Sequence, residues 1–253
     1  MKFIHITDIH LVGPGALLHE LNPAERFARC IDDINLNHSD AECCVITGDL
    51  ADAGESMAYK LLQDEMARCN LPCHVLVGNH DLRDPAREQI NSVQLDANGF
   101  VQSAVETSAG VFVLLDTLVA GDHYGEYCEA RRSWLKTQLE THRGKSIFLF
   151  MHHPPFDIHL PCLDVIALRN QDEFAEIVRS SCDDIRHLFF GHAHRPLSGN
   201  WMGISYSSLR GTNHQVALDF DVPEIIYVDE PPEYAVVFVD DDRIVVHTHS
   251  YPL

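Results

Sequence analysis

The chain has 253 residues, of which 45% are hydrophobic and 22% are charged, the proportions of an ordinary globular protein that can bury a sizeable core. Its formal net charge of −20 argues against nucleic acid or an anionic membrane as a partner, because both would repel the chain. The eight cysteines form no CxxC pair, "MKFIHITDIH" lacks signal-peptide features, and no apolar run approaches the about 18 residues of a membrane span, so we expect a cytoplasmic protein without disulfides.

The first half of the chain alternates strand-like and helix-like segments. A helix is predicted from Asn22, which is a favoured cap, through Pro23 at the first helical position, because apolar residues then recur at helical spacing from Phe27 to Ile34. Short apolar runs predict three strands, at "KFIHIT", "CCVIT" and "CHVLV". Two further helices are predicted at "SMAYKLLQDEMARC" and "DPAREQINSV".

The second half continues this alternation and ends in a tail without helical patterns. In chain order we predict strands at "FVQSAVET" and "GVFVLLDT", a helix at "ARRSWLKTQLETH", a strand at "SIFLFMHH", a helix at "NQDEFAEIVRSS" and a strand at "IRHLFFGHAH". The tail from Gly199 on is predicted to be all-β, with a hairpin around Asp240 to Asp242. This layout favours an α/β fold of two sheets packed face to face with helices outside, although the alternation alone suits a doubly wound sheet equally well.

No internal repeat, low-complexity segment or linker divides the chain into two folding units. We therefore expect one domain over residues 1–253, in which residues 1–198 carry the motifs and residues 199–253 add a β-rich completion. The tail and the segment 119–129 are also candidates for a contact in a homodimer or a larger homo-oligomer.

Polar residues follow each of five apolar strands. Ligands of open α/β sheets collect at the carboxyl ends of strands, so five such clusters in a row are a strong signal although each alone is weak. Residues i and i+2 of an extended segment point to the same side, so the first and last clusters can each present a pair of side chains to one point. The clusters are Asp8-Ile9-His10, Gly48-Asp49, Gly78-Asn79-His80-Asp81, His152-His153 and Gly191-His192-Ala193-His194.

These clusters predict a metal centre with oxygen and nitrogen ligands and no cysteine. Such a donor set suits Fe, Mn, Zn, Co or Ni better than Cu(I) or an iron–sulfur cluster. The clusters offer more side chains than one ion of about four to six ligands can use, and they fit two ions if one carboxylate bridges.

In this order the motifs resemble those of the calcineurin-like metallophosphoesterase superfamily, whose pattern is D-x-H, G-D, G-N-H-[DE], H and G-H-x-H. The match extends from residue 3 to residue 194, and no element of the pattern is missing. The resemblance implies a four-layer α/β/β/α sandwich of two mixed sheets, with a binuclear metal site at one edge.

The resemblance also implies a role for each motif residue. His80 would be the non-ligand histidine beside the substrate phosphate. It would donate a hydrogen bond to the phosphate or a proton to the leaving oxygen, and Asp81 would orient its ring. The two metals would come from Fe, Mn, Zn and Co, without a decision between them. The implied ligands are Asp8, His10 and His194 for one ion, Asn79, His152 and His192 for the other, and Asp49 as the bridge.

The segment after Asp49 narrows the branch of the superfamily. Phosphoprotein phosphatases carry an Arg-Gly shortly after this aspartate, whereas this chain reads "GDLADAG". The stretches "MHHPP" and "GTNHQ" resemble the bacterial branch of class III cyclic-nucleotide phosphodiesterases and glycerophosphodiesterases, and the second stretch would bring His214 near the site. Arg83 and Arg195 follow two of the clusters and are candidates for substrate contacts, with solvated loop positions as the alternative.

The resemblance implies a phosphodiesterase that hydrolyses a small diester, such as 3′,5′-cAMP or a glycerophosphodiester, by in-line attack of a hydroxide that two ions activate. A diester carries one negative charge, which suits an acidic protein with few cations near its motifs. Two alternatives stay open, namely a broad phosphomonoesterase and a non-catalytic scaffold of the same fold.

Four further residues are interpreted as structural. His5 lies inside the first predicted strand and is expected in the core, and Asp116 is expected to cap the end of a strand. Cys162 and Cys182 are expected to have no chemical role.

Overall fold

The computed structural model describes residues 1–181 and 184–253, so Cys182 lies outside the described residues. The strands are β1 (Lys2–Ile6), β2 (Cys44–Thr47), β3 (Cys73–Leu76), β4 (Ser103–Thr107), β5 (Gly110–Leu114), β6 (Ile147–Met151), β7 (Ile185–Phe190), β8 (Leu197–Trp201), β9 (Ile204–Ser208), β10 (Gln215–Val216), β11 (Tyr227–Val228), β12 (Glu233–Val239) and β13 (Ile244–Ser250). The helices are α1 (Pro23–Asn37), α2 (Ser56–Arg68), α3 (Arg83–Gln89), α4 (Glu129–Thr141), α5 (Pro161–Asp164) and α6 (Gln171–Arg179).

The strands form two large mixed sheets and one small one. The first large sheet has the order β13-β12-β1-β2-β3, in which β1, β2 and β3 are parallel and the two C-terminal strands are antiparallel. The second has the order β4-β5-β6-β7-β9-β8, with a parallel centre of β5, β6, β7 and β9. Within the part of the chain that the structure describes, strands β10 and β11 form a small sheet of their own.

Alternating side chains of the central strands pack the two sheets against each other. Phe3 of β1 contacts Phe112 of β5 and Phe189 of β7, with ring centroids 4.9 and 5.5 Å apart, in the cluster between the sheets. Ile4 and Ile6 point the other way, into the cluster that also contains α1 and α2. A third cluster joins the second sheet to α4 and α6. The layers are therefore α/β/β/α, so the predicted sandwich is confirmed and the doubly wound alternative is wrong.

The first helix begins where its local sequence signals predicted. The Asn22 side chain accepts a hydrogen bond from the backbone N–H of Glu25 at 3.2 Å, and Pro23 occupies the first turn. The apolar stripe is buried against the first sheet through Phe27 and Ile34, among others. The predicted cap and stripe are confirmed.

The C-terminal tail contributes to both large sheets. Strand β12 pairs with β1 over the register Lys2↔Phe238 to His5↔Ala235, and the predicted hairpin β12–β13 turns at residues 240–243. Strands β8 and β9 complete the second sheet, while β10 and β11 lie in a segment that we call the arm, residues 215–230. Neither the arm nor α5 had a clear sequence pattern.

The topology brings the polar clusters together. Strands β1, β2 and β3 run parallel in one sheet, and β6 and β7 run parallel in the other, so all five carboxyl ends reach one edge of the sandwich. Within the described residues, no helix is both long and apolar enough to cross a membrane.

Candidate metal centre and substrate cavity

Asp49 lies at the centre of the five clusters. Its Oδ2 is 3.4 Å from Nε2 of His10 and 3.2 Å from Nε2 of His152, so one oxygen faces side chains from both sheets. Its Oδ1 accepts the backbone N–H of His80 at 3.0 Å, which holds the carboxylate in place. The carboxylate therefore links two groups of donors.

The first group of donors comes from the ends of β1 and β7. Ligand atoms of Asp8, His10, Asp49 and His194 all lie within 4.8 Å of one another, and all four side chains are buried. Nε2 of His10 is 3.1 Å from Nε2 of His194, a spacing in which two ring nitrogens face one point. Asp8 and His10 thus present their side chains to one point as predicted, although their backbone is left-handed and not extended. The same prediction is wrong for His192 and His194, because His192 groups with His152 and His153 and not with His194.

The second group comes from the ends of β3, β6 and β7. Nε2 of His152 lies 3.2 Å from Oδ1 of Asn79, and the rings of His152 and His192 have centroids 5.1 Å apart. All of the side chains predicted as metal ligands thus meet at one edge of the sandwich.

The outer nitrogens of the histidines are held so that the inner ones face the centre. Nδ1 of His152 donates to the carbonyl of Thr47 at 2.8 Å, and Nδ1 of His194 donates to the carbonyl of His214 at 2.9 Å. Nδ1 of His10 lies 3.1 Å from Oδ1 of Asp52. Such partners fix the tautomer and the orientation of a metal-ligating histidine, since a carbonyl only accepts.

The backbone at the centre is strained. Five of its non-glycine residues have φ between 48° and 65°, the left-handed region that costs energy for residues with a Cβ atom and is concentrated at functional sites: Asp8, His10, Asp49, His192 and His194. Gly78 allows the close approach of two loops, because a Cβ atom there would lie 2.2 Å from Oδ1 of Asp49. The glycine that precedes the "NHD" cluster is therefore required by packing.

The donor set fits metal ions. Asp8 and Asp49 are buried, and within the described residues their ion-pair partners are histidines, not Lys or Arg. Oδ2 of Asp8 and Nε2 of His192 are buried without a hydrogen-bond partner among residues 1–181 and 184–253. A buried carboxylate oxygen or ring nitrogen that lacks a hydrogen-bond partner is stabilised when it binds a cation.

The electrostatics of the two carboxylates differ. Burial acts to raise the pKa of Asp49, but His152, His80 and His10 outweigh it and hold that pKa well below its usual range. Burial also raises the pKa of Asp8, and here the histidines do not fully compensate. Asp49 is therefore the carboxylate that stays ionised most firmly.

The structure corrects the role predicted for Asp81. Its carboxylate accepts the backbone N–H groups of Gly78, Leu50 and Ala51 at 2.8 to 3.1 Å and the hydroxyl of Tyr59 at 3.0 Å. It therefore braces two loops, and its hydrogen bonds go to these groups and not to the His80 ring. The His80 ring is held by residue 52 instead.

Nδ1 of His80 donates to the backbone carbonyl of Asp52 at 2.7 Å, and the carboxylate of Asp52 is 3.7 Å away. This fixes the proton on Nδ1 and leaves Nε2 for a ligand in the cavity that the ring lines. Asp52 was not predicted as a site residue, and the one sequence signal was its position three residues after Asp49.

A cavity of about 340 Å³ opens beside the metal-ligand cluster, which is a size typical of sites for small molecules. Its polar wall consists of His10, Asp49, Asn79, His80, His123, His192, His194 and His214. Its apolar wall consists of Cys162, Leu163, Val165, Ile166, Val216, Pro223, Ile225 and Tyr227. Among the described residues that line it, none is Lys or Arg.

The two residues expected near the substrate have different positions. His214 lines the cavity and stacks on His194 with ring centroids 4.7 Å apart. Arg195 lines a different cavity, and its guanidinium donates to Glu230 at 2.9 Å and to the carbonyl of Val216 at 3.0 Å. The expected substrate contact of Arg195 is corrected to a bond that fastens the arm.

Four interpretations of single residues have clear outcomes. His5 is buried between the sheets, as predicted, and bonds Oγ1 of Thr47 at 2.8 Å. Asp116 accepts the backbone N–H groups of Val101 and Leu118, as a cap does, and also pairs with Arg83, which is therefore not a solvated loop residue. Cys162, expected to have no chemical role, lines the cavity.

Comparisons with known proteins agree with this geometry. Residues 1–196 match the family described as calcineurin-like phosphoesterase. A probable cyclic nucleotide phosphodiesterase of Rhodopseudomonas palustris is 42% identical over 99% of this chain and 93% of that protein. A probable glycerophosphodiester phosphodiesterase of Arcobacter nitrofigilis is 27% identical over 98% of this chain and 92% of that protein.

Solved structures support the fold. A dimetal phosphatase from Danio rerio superposes with a TM-score of 0.72 over 99% of both chains, at 16% identity. Because the family match covers most of the chain and includes all five clusters, the chain belongs to the calcineurin-like phosphoesterase family.

Proposed function

We propose that this protein is a phosphodiesterase with a dinuclear metal centre and that it hydrolyses cyclic nucleotides. The observation that carries the proposal is the position of Asp49, whose Oδ2 lies 3.4 Å from His10 and 3.2 Å from His152. A carboxylate between two groups of histidines lies where a ligand shared by two ions would be needed.

The proposed ligands follow from the two groups of donors. Asp49 would contribute to the binding of both ions. Oxygen and nitrogen donors of this type suit Mn, Fe, Zn or Co. The remaining ligands are Asp8, His10 and His194 for one ion, and Asn79, His152 and His192 for the other.

Bound ions would supply activation of the attacking water and neutralise the charge on the phosphoryl oxygens. The chain itself contributes a donor of protons. His80 carries its Nδ1 proton against the carbonyl of Asp52, so its Nε2 is free to donate to a phosphate oxygen or to the leaving oxygen when the ring is protonated. Burial acts to lower the pKa of His80, and the carboxylates Asp49 and Asp52 outweigh it and raise that pKa.

The charge of the cavity supports a diester over a monoester. A monoester carries nearly two negative charges, and the described lining residues include no Lys or Arg to bind the second one. The relative with 42% identity is named a cyclic nucleotide phosphodiesterase, which supports this substrate class over glycerophosphodiesters.

The experiment compares diester and monoester turnover on protein of known metal content. Purified protein is analysed for metals, reloaded with Mn²⁺, and assayed with bis(4-nitrophenyl) phosphate, 4-nitrophenyl phosphate and 3′,5′-cAMP. The proposal expects two ions per chain and diester turnover that far exceeds monoester turnover. Equal turnover of both esters would favour a broad phosphoesterase, and no turnover by fully loaded protein would favour a non-catalytic scaffold.

The variant His80→Ala tests the assignment of the non-ligand histidine. It should retain both ions and lose about 10²- to 10⁴-fold in turnover, the range of a general acid. Loss of an ion from this variant would make His80 a ligand and would contradict the assignment.

A further inference from the structure

One wall of the cavity is largely apolar and contains none of the proposed metal ligands. Leu163 and Val165 come from the region of α5, and Ile225 and Tyr227 come from the arm. Val165 is 72% exposed and Tyr227 is 43% exposed, so apolar surface faces the open cavity. Apolar surface beside a phosphate site fits the part of a substrate that is not phosphate.

The Tyr227 ring is held as a platform. His19 stacks on it with ring centroids 4.0 Å apart and an angle of 30° between the planes. The ring of His214 meets it edge to face at 4.8 Å and 89°. Val216 pairs with Tyr227 across β10 and β11, which fixes the backbone of the platform.

His214 joins the platform to the metal centre. Its ring stacks on that of His194, with centroids 4.7 Å apart, and lies 4.8 Å from the ring of His10. Tyr227 is thus one aromatic ring away from two of the proposed metal ligands, which is the reach of a nucleoside whose phosphate lies at the centre.

We propose that Tyr227, backed by His19, is the platform on which the nucleobase of a cyclic nucleotide stacks. This inference rests on the proposed phosphodiesterase function and assigns residues to its specificity. Stacking of a planar base on an aromatic side chain does not depend on the hydrogen-bonding groups at the edge of the base. The platform therefore binds adenine and guanine alike, and it adds no binding energy for a glycerophosphodiester, which has no base.

The test compares Tyr227→Ala with Tyr227→Phe on two matched substrates. The substrates are 3′,5′-cAMP and the 3′,5′-cyclic phosphate of methyl riboside, which lacks the base. Tyr227→Ala should raise KM for cAMP about tenfold and leave kcat near the parent value, because base stacking contributes to binding and not to the chemical step. Tyr227→Phe keeps the ring and should retain the parent KM, and neither variant should change KM for the substrate without a base.

Two controls separate this platform from a general effect on the arm. Phe220→Ala removes another exposed aromatic ring of the arm, one that does not line the cavity, and should leave KM for cAMP unchanged. His19→Ala should raise KM for cAMP by a smaller factor, about threefold, because Tyr227 then loses only its backing. The platform would be wrong if Tyr227→Ala changed KM equally for both substrates, or if its KM for cAMP equalled that of the parent protein.

Calorimetric titration of metal-loaded protein with cAMP distinguishes this inference from the proposed function. If the parent protein binds cAMP without hydrolysing it and Tyr227→Ala weakens that binding about tenfold, the platform stands and the phosphodiesterase proposal fails. If the parent protein hydrolyses cAMP and both Tyr227 variants bind cAMP as tightly as the parent does, the proposed function stands and the platform fails.

Discussion

The two walls of the cavity are built in different ways. The metal-ligand residues of the polar wall follow central strands directly, and four of them are at most 5% exposed as whole residues: His10, Asp49, His192 and His194. Half of the apolar wall comes from the arm. Within the described residues the strands of the arm form a sheet of their own, and Tyr227 is 43% exposed. The sheet edge thus fixes the phosphate chemistry, and a separately attached segment meets the rest of the substrate.

The attachments of the two walls differ as well. Backbone amides and carbonyls hold the polar wall, as Asp49 and His152 illustrate. Ion pairs hold the arm, since Arg195 and Arg210 both bond Glu230, at 2.9 and 2.8 Å. Changes in the polar wall should therefore reduce turnover, and changes in the arm should act on substrate binding.

The largest effect is expected at Asp49. Asp49→Asn keeps the shape of the side chain but removes the charge. Its amide nitrogen would face either the backbone N–H of His80 or the ring nitrogens of His10 and His152. We expect loss of at least one ion per chain by elemental analysis and a fall in diester turnover of about 10³-fold. The matched control is Asp241→Asn in the exposed turn of the C-terminal hairpin, which should change neither quantity. Full metal content and full turnover in the Asp49 variant would remove the basis of the proposed centre.

A smaller effect is expected from the glycine that packs against Asp49. In Gly78→Ala the new Cβ atom would lie 2.2 Å from Oδ1 of Asp49, so the carboxylate must shift. A displacement of about 1 Å at a reacting centre costs about 10²-fold in turnover. Gly13→Ala is the control, because a Cβ atom there meets nothing within 4 Å. Assays of both variants with bis(4-nitrophenyl) phosphate measure the difference, and equal turnover would show that the polar wall tolerates movement.

A fall in pH should lower the free energy of unfolding of the sandwich before it weakens the attachment of the arm. Burial lowers the pKa of His5 to about 3 and that of His187 to about 4, whereas an unfolded histidine titrates near about 6.5. Between these values the unfolded chain binds more protons, so the free energy of unfolding falls as the pH drops below about 6.5, by about 1.4 kcal/mol per pH unit for each histidine.

Urea unfolding at several pH values between 7 and 4 measures this slope. His187→Phe should reduce the slope, and the exposed His247→Gln should not. The arm should stay attached over this range, because Arg195 and Arg210 outweigh the effect of burial and hold the pKa of Glu230 below its usual range. A slope that His187→Phe leaves unchanged would contradict the role of this buried histidine.

The smallest effect is expected at Arg195. Arg195→Met removes one fastening of the arm, while Arg210 still bonds Glu230 at 2.8 Å. We expect KM for cAMP to rise about threefold with unchanged kcat and metal content, since a charge-assisted hydrogen bond with a remaining partner contributes little. Arg243→Met at the exposed hairpin is the control. A large loss of kcat in Arg195→Met would contradict this role and indicate that Arg195 acts on the phosphate.

The metal-ligand residues could be predicted from the sequence because each follows its own strand. Short apolar runs and helical periodicity predicted the strands and helices of residues 2–190 other than α5, and the carboxyl ends of those strands then placed Asp8, Asp49 and His152 at one edge. The mistaken role of Asp81 has a simple cause. Adjacent residues of a loop point in different directions, and only the folded loop decides that Asp81 faces backbone amides while Asp52 faces His80.

What the sequence determined by itself is therefore local: the caps, the alternation of strands and helices, and the polar residues at strand ends, all of which arise from neighbours along the chain. The tertiary structure alone decided that Arg195 fastens the arm, that His19 supports Tyr227 and that the cavity has an apolar wall. These contacts join residues far apart in the chain through surface segments without periodic patterns, and such segments take their positions from the sheets against which they pack.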